Sequence, residues 1–226
     1  EASDRDSPYV NMLPPPDDFA RLAGALGIGD DTLVIVYDTS YVSARVWWMF
    51  KHFGHDQVRI LNGGWKRWKA EGRPIESGEG RLPSPVRFSP RPRSGDVAGW
   101  KDVLDAIGNG GSAIVDARTR ERFTGELPSG YPGVAGGHMP SAINVPWGRM
   151  IPQGGDFTFI DAAAARQVLT DAGVDLDKPV IATCGSGVTA AILAFQLARM
   201  GKTDVTLYDG SWHEWGQRPD LPQESA

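Results

Sequence analysis

Short unbroken apolar runs alternate with longer stretches of helical spacing along this chain. Val34 to Val36, Val58 to Leu61, Ser112 to Arg118, Val180 to Thr183 and Val205 to Leu207 have the length and composition of strands. Ala44 to Phe53, Val97 to Ile107 and Ala190 to Met200 carry apolar residues at helical intervals. Strands that alternate with helices predict an α/β fold with mostly parallel sheets. Ligands of such sheets sit beyond the carboxyl ends of the strands.

The pattern repeats once. Leu61-Asn62-Gly63-Gly64-Trp65-Lys66-Arg67-Trp68 matches Tyr208-Asp209-Gly210-Ser211-Trp212-His213-Glu214-Trp215 in spacing, and each follows an apolar strand. At nearly the same offset, Val34 to Ala44 falls on Val180 to Ala190. So long a period predicts two homologous domains rather than a solenoid. The stretch from Ser77 to Asp96 is rich in Pro, Gly, Ser and Arg and reads as a linker. The expected division is a first domain over 1–76, a linker over 77–96 and a second domain over 97–226. The first-half counterparts of 97–118 and of Gly137 to Ala142 would precede residue 1, so the first domain is expected to lack its opening segment here. Trp65, Trp68, Trp212 and Trp215 read as core anchors.

The two halves differ where chemistry is expected. Val180-Ile181-Ala182-Thr183-Cys184-Gly185-Ser186-Gly187-Val188-Thr189-Ala190 reads as a strand, a tight loop and a helix start, with the chain's one cysteine at the strand end. Backbone N–H groups converge at such a turn, and they favour thiolate, the nucleophilic form. A buried cysteine acting as a small hydrophobe is the bland alternative. Gly185 and Gly187 weigh against it, because a core position would not need the backbone bent around the sulfur. At the equivalent position the first half carries Asp38, with Thr39 and Tyr41 for the glycines. That half is expected to be non-catalytic.

Composition narrows the partners. A net charge of −5 over 226 residues, without a basic run, argues against nucleic acid. No apolar stretch approaches the ~18 residues of a membrane span. One cysteine excludes an intramolecular disulfide and a thiolate metal cluster, and no metal or organic cofactor is implied. The opening residues lack signal-peptide character, and a cytoplasmic location is expected.

The two halves, the cysteine in the second only, Asp116-Ala117-Arg118, Gly137-His138-Met139-Pro140 and Asp209-Gly210-Ser211-Trp212 together resemble the rhodanese superfamily of two-domain sulfurtransferases. The resemblance covers nearly the whole chain. Cys184-Gly185-Ser186-Gly187-Val188-Thr189 is similar to the loop of its 3-mercaptopyruvate members, whereas thiosulfate members carry basic residues after the cysteine. That division suits the donors, since thiosulfate is a compact dianion and mercaptopyruvate a monoanion. The resemblance implies two tandem rhodanese-like domains and a Cys184 persulfide that passes sulfur to cyanide or a thiol such as thioredoxin. Ser186 is implied as a proton relay. Gly185, Gly187, Val188 and Thr189 are implied to bind the donor, and Arg122 to anchor its carboxylate. The glycine that precedes this arginine in the family is Glu121 here, and Arg122 also reads as a solvated surface residue. Tyr131 stands where many members carry a second arginine, and Arg118 reads as a structural ion-pair partner.

The family also draws an aspartate and a histidine from the first domain's opening segment, expected before residue 1. His52, His55, His138 and His213 all read as structural. Rival readings are a thiosulfate sulfurtransferase and a non-enzymatic persulfide carrier. A cysteine phosphatase would need an arginine where this chain has Ala190.

Overall fold

In the computed structural model, which describes residues 2–80, 83–152 and 155–225, the repeat appears as two parallel sheets of unequal size. The second half holds β3 (Val97–Ala98), α4 (Trp100–Asn109), β4 (Ala113–Asp116), α5 (Arg120–Thr124) and β5 (Ile143–Asn144). A 3-10 turn (Trp147–Met150), α6 (Ala162–Asp171), β6 (Val180–Thr183), α7 (Ala190–Arg199), β7 (Val205–Tyr208) and α8 (Ser211–Trp215) complete it. Its strands lie in the order β3-β7-β6-β4-β5, all parallel. Every residue of β4 and β6 is buried, as expected of central strands covered by helices on both faces.

The first half contributes α1 (Pro16–Ala25), β1 (Val34–Val36), α2 (Ser43–His52), β2 (Val58–Ile60) and α3 (Gly64–Ala70). β1 pairs in parallel with β2, Val34 opposite Val58, and α2 is the crossover between them. α7 connects β6 to β7 in the same way, so the repeat is structural as well as sequential. α2 and α7 pack on each other, Trp47 edge-on to Phe195 at 5.0 Å, and the apolar cores of the two halves merge there.

Three expectations need correction. The helix expected from Val97 starts at Trp100. Val97 and Ala98 instead add a strand to the edge of β7, and the Gly99 N–H donates to Asp102 at the helix start. The proline-rich stretch from Ser77 lacks regular structure but is not a free tether. Its Phe88 is buried against Phe19, Phe50 and His55, and Arg91 and Arg93 donate N–H groups to carbonyls at the end of α2. Arg81 and Leu82, within that stretch, lie outside the described residues. Trp212 and Trp215 are wholly buried anchors, but Trp65 and Trp68 are not. They line a surface groove with Ile35, Tyr37, Pro74 and Ile75, because among the described residues no element covers that face of the β1–β2 pair.

The opening segment before α1 crosses to the second half. Val10 donates its N–H to His213 Nδ1, and Leu13 donates to Asp209 Oδ2 at 2.7 Å. No described helix is long and apolar enough to cross a membrane.

Candidate active site

Cys184 stands one residue past β6, at the carboxyl edge of the sheet, and the loop from it to Thr189 turns the chain into α7. Gly187 makes the turn possible. Its φ is +76°, and a β-carbon there would lie 2.9 Å from Asp209 Oδ1 and 3.0 Å from the Asp209 carbonyl. The loop is held from behind by the start of α8. Ser211 Oγ accepts the N–H groups of Cys184 and Gly187, both at 3.1 Å, and donates to the Tyr208 carbonyl at 2.7 Å. The carbonyls of Cys184 and Gly185 accept the N–H groups of Trp212 and His213.

These bonds decide which loop groups face outward. With those carbonyls turned toward α8, the N–H groups of Gly185, Ser186 and Val188 have no protein acceptor among the described residues. They are free to serve an anion or a charged sulfur. The N–H of Gly187 is not, since Ser211 holds it. The N–H groups that converge at this turn therefore do not include that of Gly187.

A cavity of about 410 Å³ opens over the cysteine. Cys184, Gly185, Ser186, Val188, Thr189 and Arg122, each singled out above, line it. Gly187 does not. It lies behind the loop, against Asp209 and Arg45, so its part is to shape the turn rather than to touch a ligand.

Arg122, on α5, is exposed, and its guanidinium lies over Gly130 at the cavity wall. Arg118 also reaches the cavity, but its guanidinium is buried in a bidentate pair with Asp116, donates to the Gly137 carbonyl and lies over the Trp212 ring. Its charge is neutralised where it stands. Arg122 forms no ion pair among the described residues, which leaves its charge to a ligand.

Several lining residues escaped the sequence reading. Asn11, from the opening segment, has a left-handed backbone (φ +62°) and donates Nδ2–H to Ser186 Oγ at 2.8 Å. Tyr41 of the first half packs at a tilt on Trp147 of the second at the rim, ring centroids 4.8 Å apart. Tyr131 sits so close to the loop that a β-carbon on Gly185 would lie 2.8 Å from its hydroxyl. Burial raises the Tyr131 phenol above its ordinary range; contact with Ser186 opposes this and negative charge on Cys184 reinforces it.

Ser211 was also missed, although one signal was present. It holds φ +49° without being glycine, and its counterpart in the first half is Gly64, at φ +53°. A hydroxyl at a position that favours glycine marks a side chain needed for its bonds. The four histidines stay out of the cavity. His138 binds the Phe123 carbonyl and stacks on that ring, while His213 lies under the loop against Tyr131. Burial lowers the basicity of His213.

Parallel sheets in two similar halves, with one cysteine loop cradled beyond the second, define a rhodanese-type fold and site. The chain belongs to the rhodanese-like domain family, whose model matches residues 4–71 and 100–218. It is 39% identical over 222 residues to the 3-mercaptopyruvate sulfurtransferase of Homo sapiens, covering 96% of this chain and 74% of that protein. It is 40% identical over 227 residues to the 3-mercaptopyruvate sulfurtransferase of Escherichia coli K12, covering 98% of this chain and 78% of that one. The crystal structure of SseA from Escherichia coli, described with 3-mercaptopyruvate sulfotransferases, superposes with a TM-score of 0.83 at 35% identity. That match covers 93% of this chain and 78% of the other.

Proposed function

We propose that this protein is a sulfurtransferase that takes sulfur from 3-mercaptopyruvate through a persulfide on Cys184 and releases pyruvate. The observation that carries the reading is the pairing, across one cavity, of Cys184 under outward N–H groups with the uncommitted guanidinium of Arg122. A guanidinium suits a carboxylate, and a loop with no cationic side chain suits a monoanionic donor better than thiosulfate. The names and identities of the relatives support the same donor.

In this reading the Cys184 thiolate attacks the donor sulfur, and the carbon–sulfur bond breaks with its electron pair left on carbon as the enolate of pyruvate. The free N–H groups of Gly185, Ser186 and Val188 stabilise charge on the two sulfur atoms. A thiol such as reduced thioredoxin, a small thiol or cyanide then removes the outer sulfur and restores the thiolate. The steps need no metal or organic cofactor, and a thiol that must stay reduced suits the cytoplasm.

The test is to mix the protein with 3-mercaptopyruvate without any acceptor, then read intact mass and pyruvate together. One sulfur atom added at Cys184 with one pyruvate released is the expected result. No adduct and no pyruvate from the native chain would overturn the assignment.

A further inference from the structure

Arg122 is an exposed arginine, yet its guanidinium stands on a definite floor. A β-carbon on Gly130 would lie 3.2 Å from its Cζ, 3.2 Å from Nη2 and 3.3 Å from Nη1. Near-equal distances to three atoms of one plane put Gly130 against the face of the group rather than its edge. Any side chain at that position would crowd the guanidinium and push it off its place. The backbone of Gly130 is also left-handed (φ +93°), a conformation that favours glycine.

The turn that carries Gly130 is itself restrained. Pro128 and Pro132 bracket it, and each fixes one backbone torsion. Ser129 between them is buried; its Oγ accepts the Tyr131 N–H at 3.2 Å and donates to the Val134 carbonyl at 3.0 Å. The Val134 N–H donates to the Tyr131 carbonyl and closes the turn. Tyr131 then leans on the Cys184 loop. Its ring packs on His213 at 4.6 Å, and its hydroxyl presses on Gly185. Consecutive residues therefore touch the two sides of one cavity, Gly130 the guanidinium and Tyr131 the loop that carries the sulfur.

We propose that Gly130 is a positioning residue for the sulfur donor: it seats the Arg122 guanidinium at a set distance from Cys184, ready for the donor's carboxylate. This inference rests on the mercaptopyruvate reading above. An arginine that already stands in its working place loses less freedom when it takes an anion, so the donor binds more tightly. A fixed spacing also brings the donor's sulfur to the thiolate while its carboxylate is held. Gly130 touches no substrate in this scheme. It acts through Arg122, and the absence of a side chain is what the position requires.

The test compares Gly130→Ala with Gly133→Ala. Gly133 also has a left-handed backbone (φ +75°), but a β-carbon there would meet nothing within 4 Å. It carries the backbone strain without the crowding. With 3-mercaptopyruvate as donor and dithiothreitol as acceptor, Gly130→Ala should raise KM about threefold or more and leave kcat within about twofold, the pattern of lost binding. Gly133→Ala should leave KM within about 1.5-fold of native. Alkylation of Cys184 by iodoacetamide, which has no carboxylate, should match native in both variants. In an Arg122→Gly background, Gly130→Ala should add nothing to KM, because no guanidinium remains to be placed. Gly130→Asn, a residue type that tolerates left-handed backbone, takes the place of the alanine variant should that one not fold. A smaller rise in KM, an equal rise in Gly133→Ala, or a rise that persists without Arg122 overturns the inference and leaves the mercaptopyruvate reading intact. So does slowed alkylation, which marks damage to the loop. A native chain that yields neither pyruvate nor a Cys184 adduct removes both the reading and the inference built on it.

Discussion

The Arg45 guanidinium of the first half lies 2.6 Å from the Asp209 carboxylate of the second, with 5% and 3% of their side chains exposed. The approach to Oδ1 is a close charge contact rather than an aligned hydrogen bond, since that oxygen has no donor in line. Oδ2 accepts the Leu13 N–H, and Arg45 also donates to the Asn11 carbonyl at 2.6 Å. One buried pair therefore fixes three things together: the two halves, the opening segment and the loop behind Cys184. Arg45→Met should destabilise the protein by about 3–5 kcal/mol, the usual effect of stranding one buried charge. Urea unfolding measures it. Arg45→Met with Asp209→Asn should lose less than the single change, because no charge is then stranded.

Ser211 predicts a different kind of loss. Ser211→Ala leaves the N–H groups of Cys184 and Gly187 without their acceptor, at about 1–3 kcal/mol for each buried group left unpaired. The alanine also keeps a left-handed backbone without the bonds that offset its strain. The variant should unfold at lower urea and form the Cys184 persulfide more slowly. Unchanged midpoint and rate would remove Ser211 from the loop's support.

Arg122 is exposed, so its loss should be felt in binding rather than in folding. Arg122→Gly is expected to raise KM for 3-mercaptopyruvate about tenfold or more, as the loss of a charge-assisted carboxylate contact does, with the unfolding midpoint unchanged. Steady-state kinetics decide this. An unchanged KM would mean that the donor's carboxylate is held elsewhere.

Acid should weaken the fold through His52. Burial lowers its basicity and outweighs the nearby Asp96 carboxylate, which acts the other way, and Nδ1 has no hydrogen-bond partner. A histidine depressed in the folded state contributes stability that is full above its ordinary value near 6.5 and is lost as pH falls through the folded value. Asp96 is shifted upward by burial, so its contribution runs oppositely, present at low pH and lost as pH rises through its own folded value. His213 is depressed like His52. Melting temperature should therefore fall as pH is lowered from about 7.5 to 5.5, and His52→Phe, which keeps the stack on Trp48, should flatten that fall. An identical slope in the variant would place the titrating group elsewhere.

Strands β1, β2, β4, β6 and β7 and helices α2 and α7 were legible in the sequence because period and apolar run length are local properties of a chain. The Cys184 loop was legible for the same reason: strand, thiol, glycines and helix stand next to one another. Family resemblance added Arg122, whose place on the cavity wall no local pattern encodes. The tertiary structure alone decided that Asn11 reaches Ser186 across 175 positions, that Tyr131 presses on Gly185 and that Gly187 faces away from the cavity. It also decided that Trp65 and Trp68 line a groove while Trp212 and Trp215 are buried, although the repeat makes the four equivalent in sequence. The physical reason is common to all of these. Local patterns set how each segment folds, but which side chains meet depends on how separate segments pack, here through the α2–α7 contact and the buried Arg45–Asp209 pair.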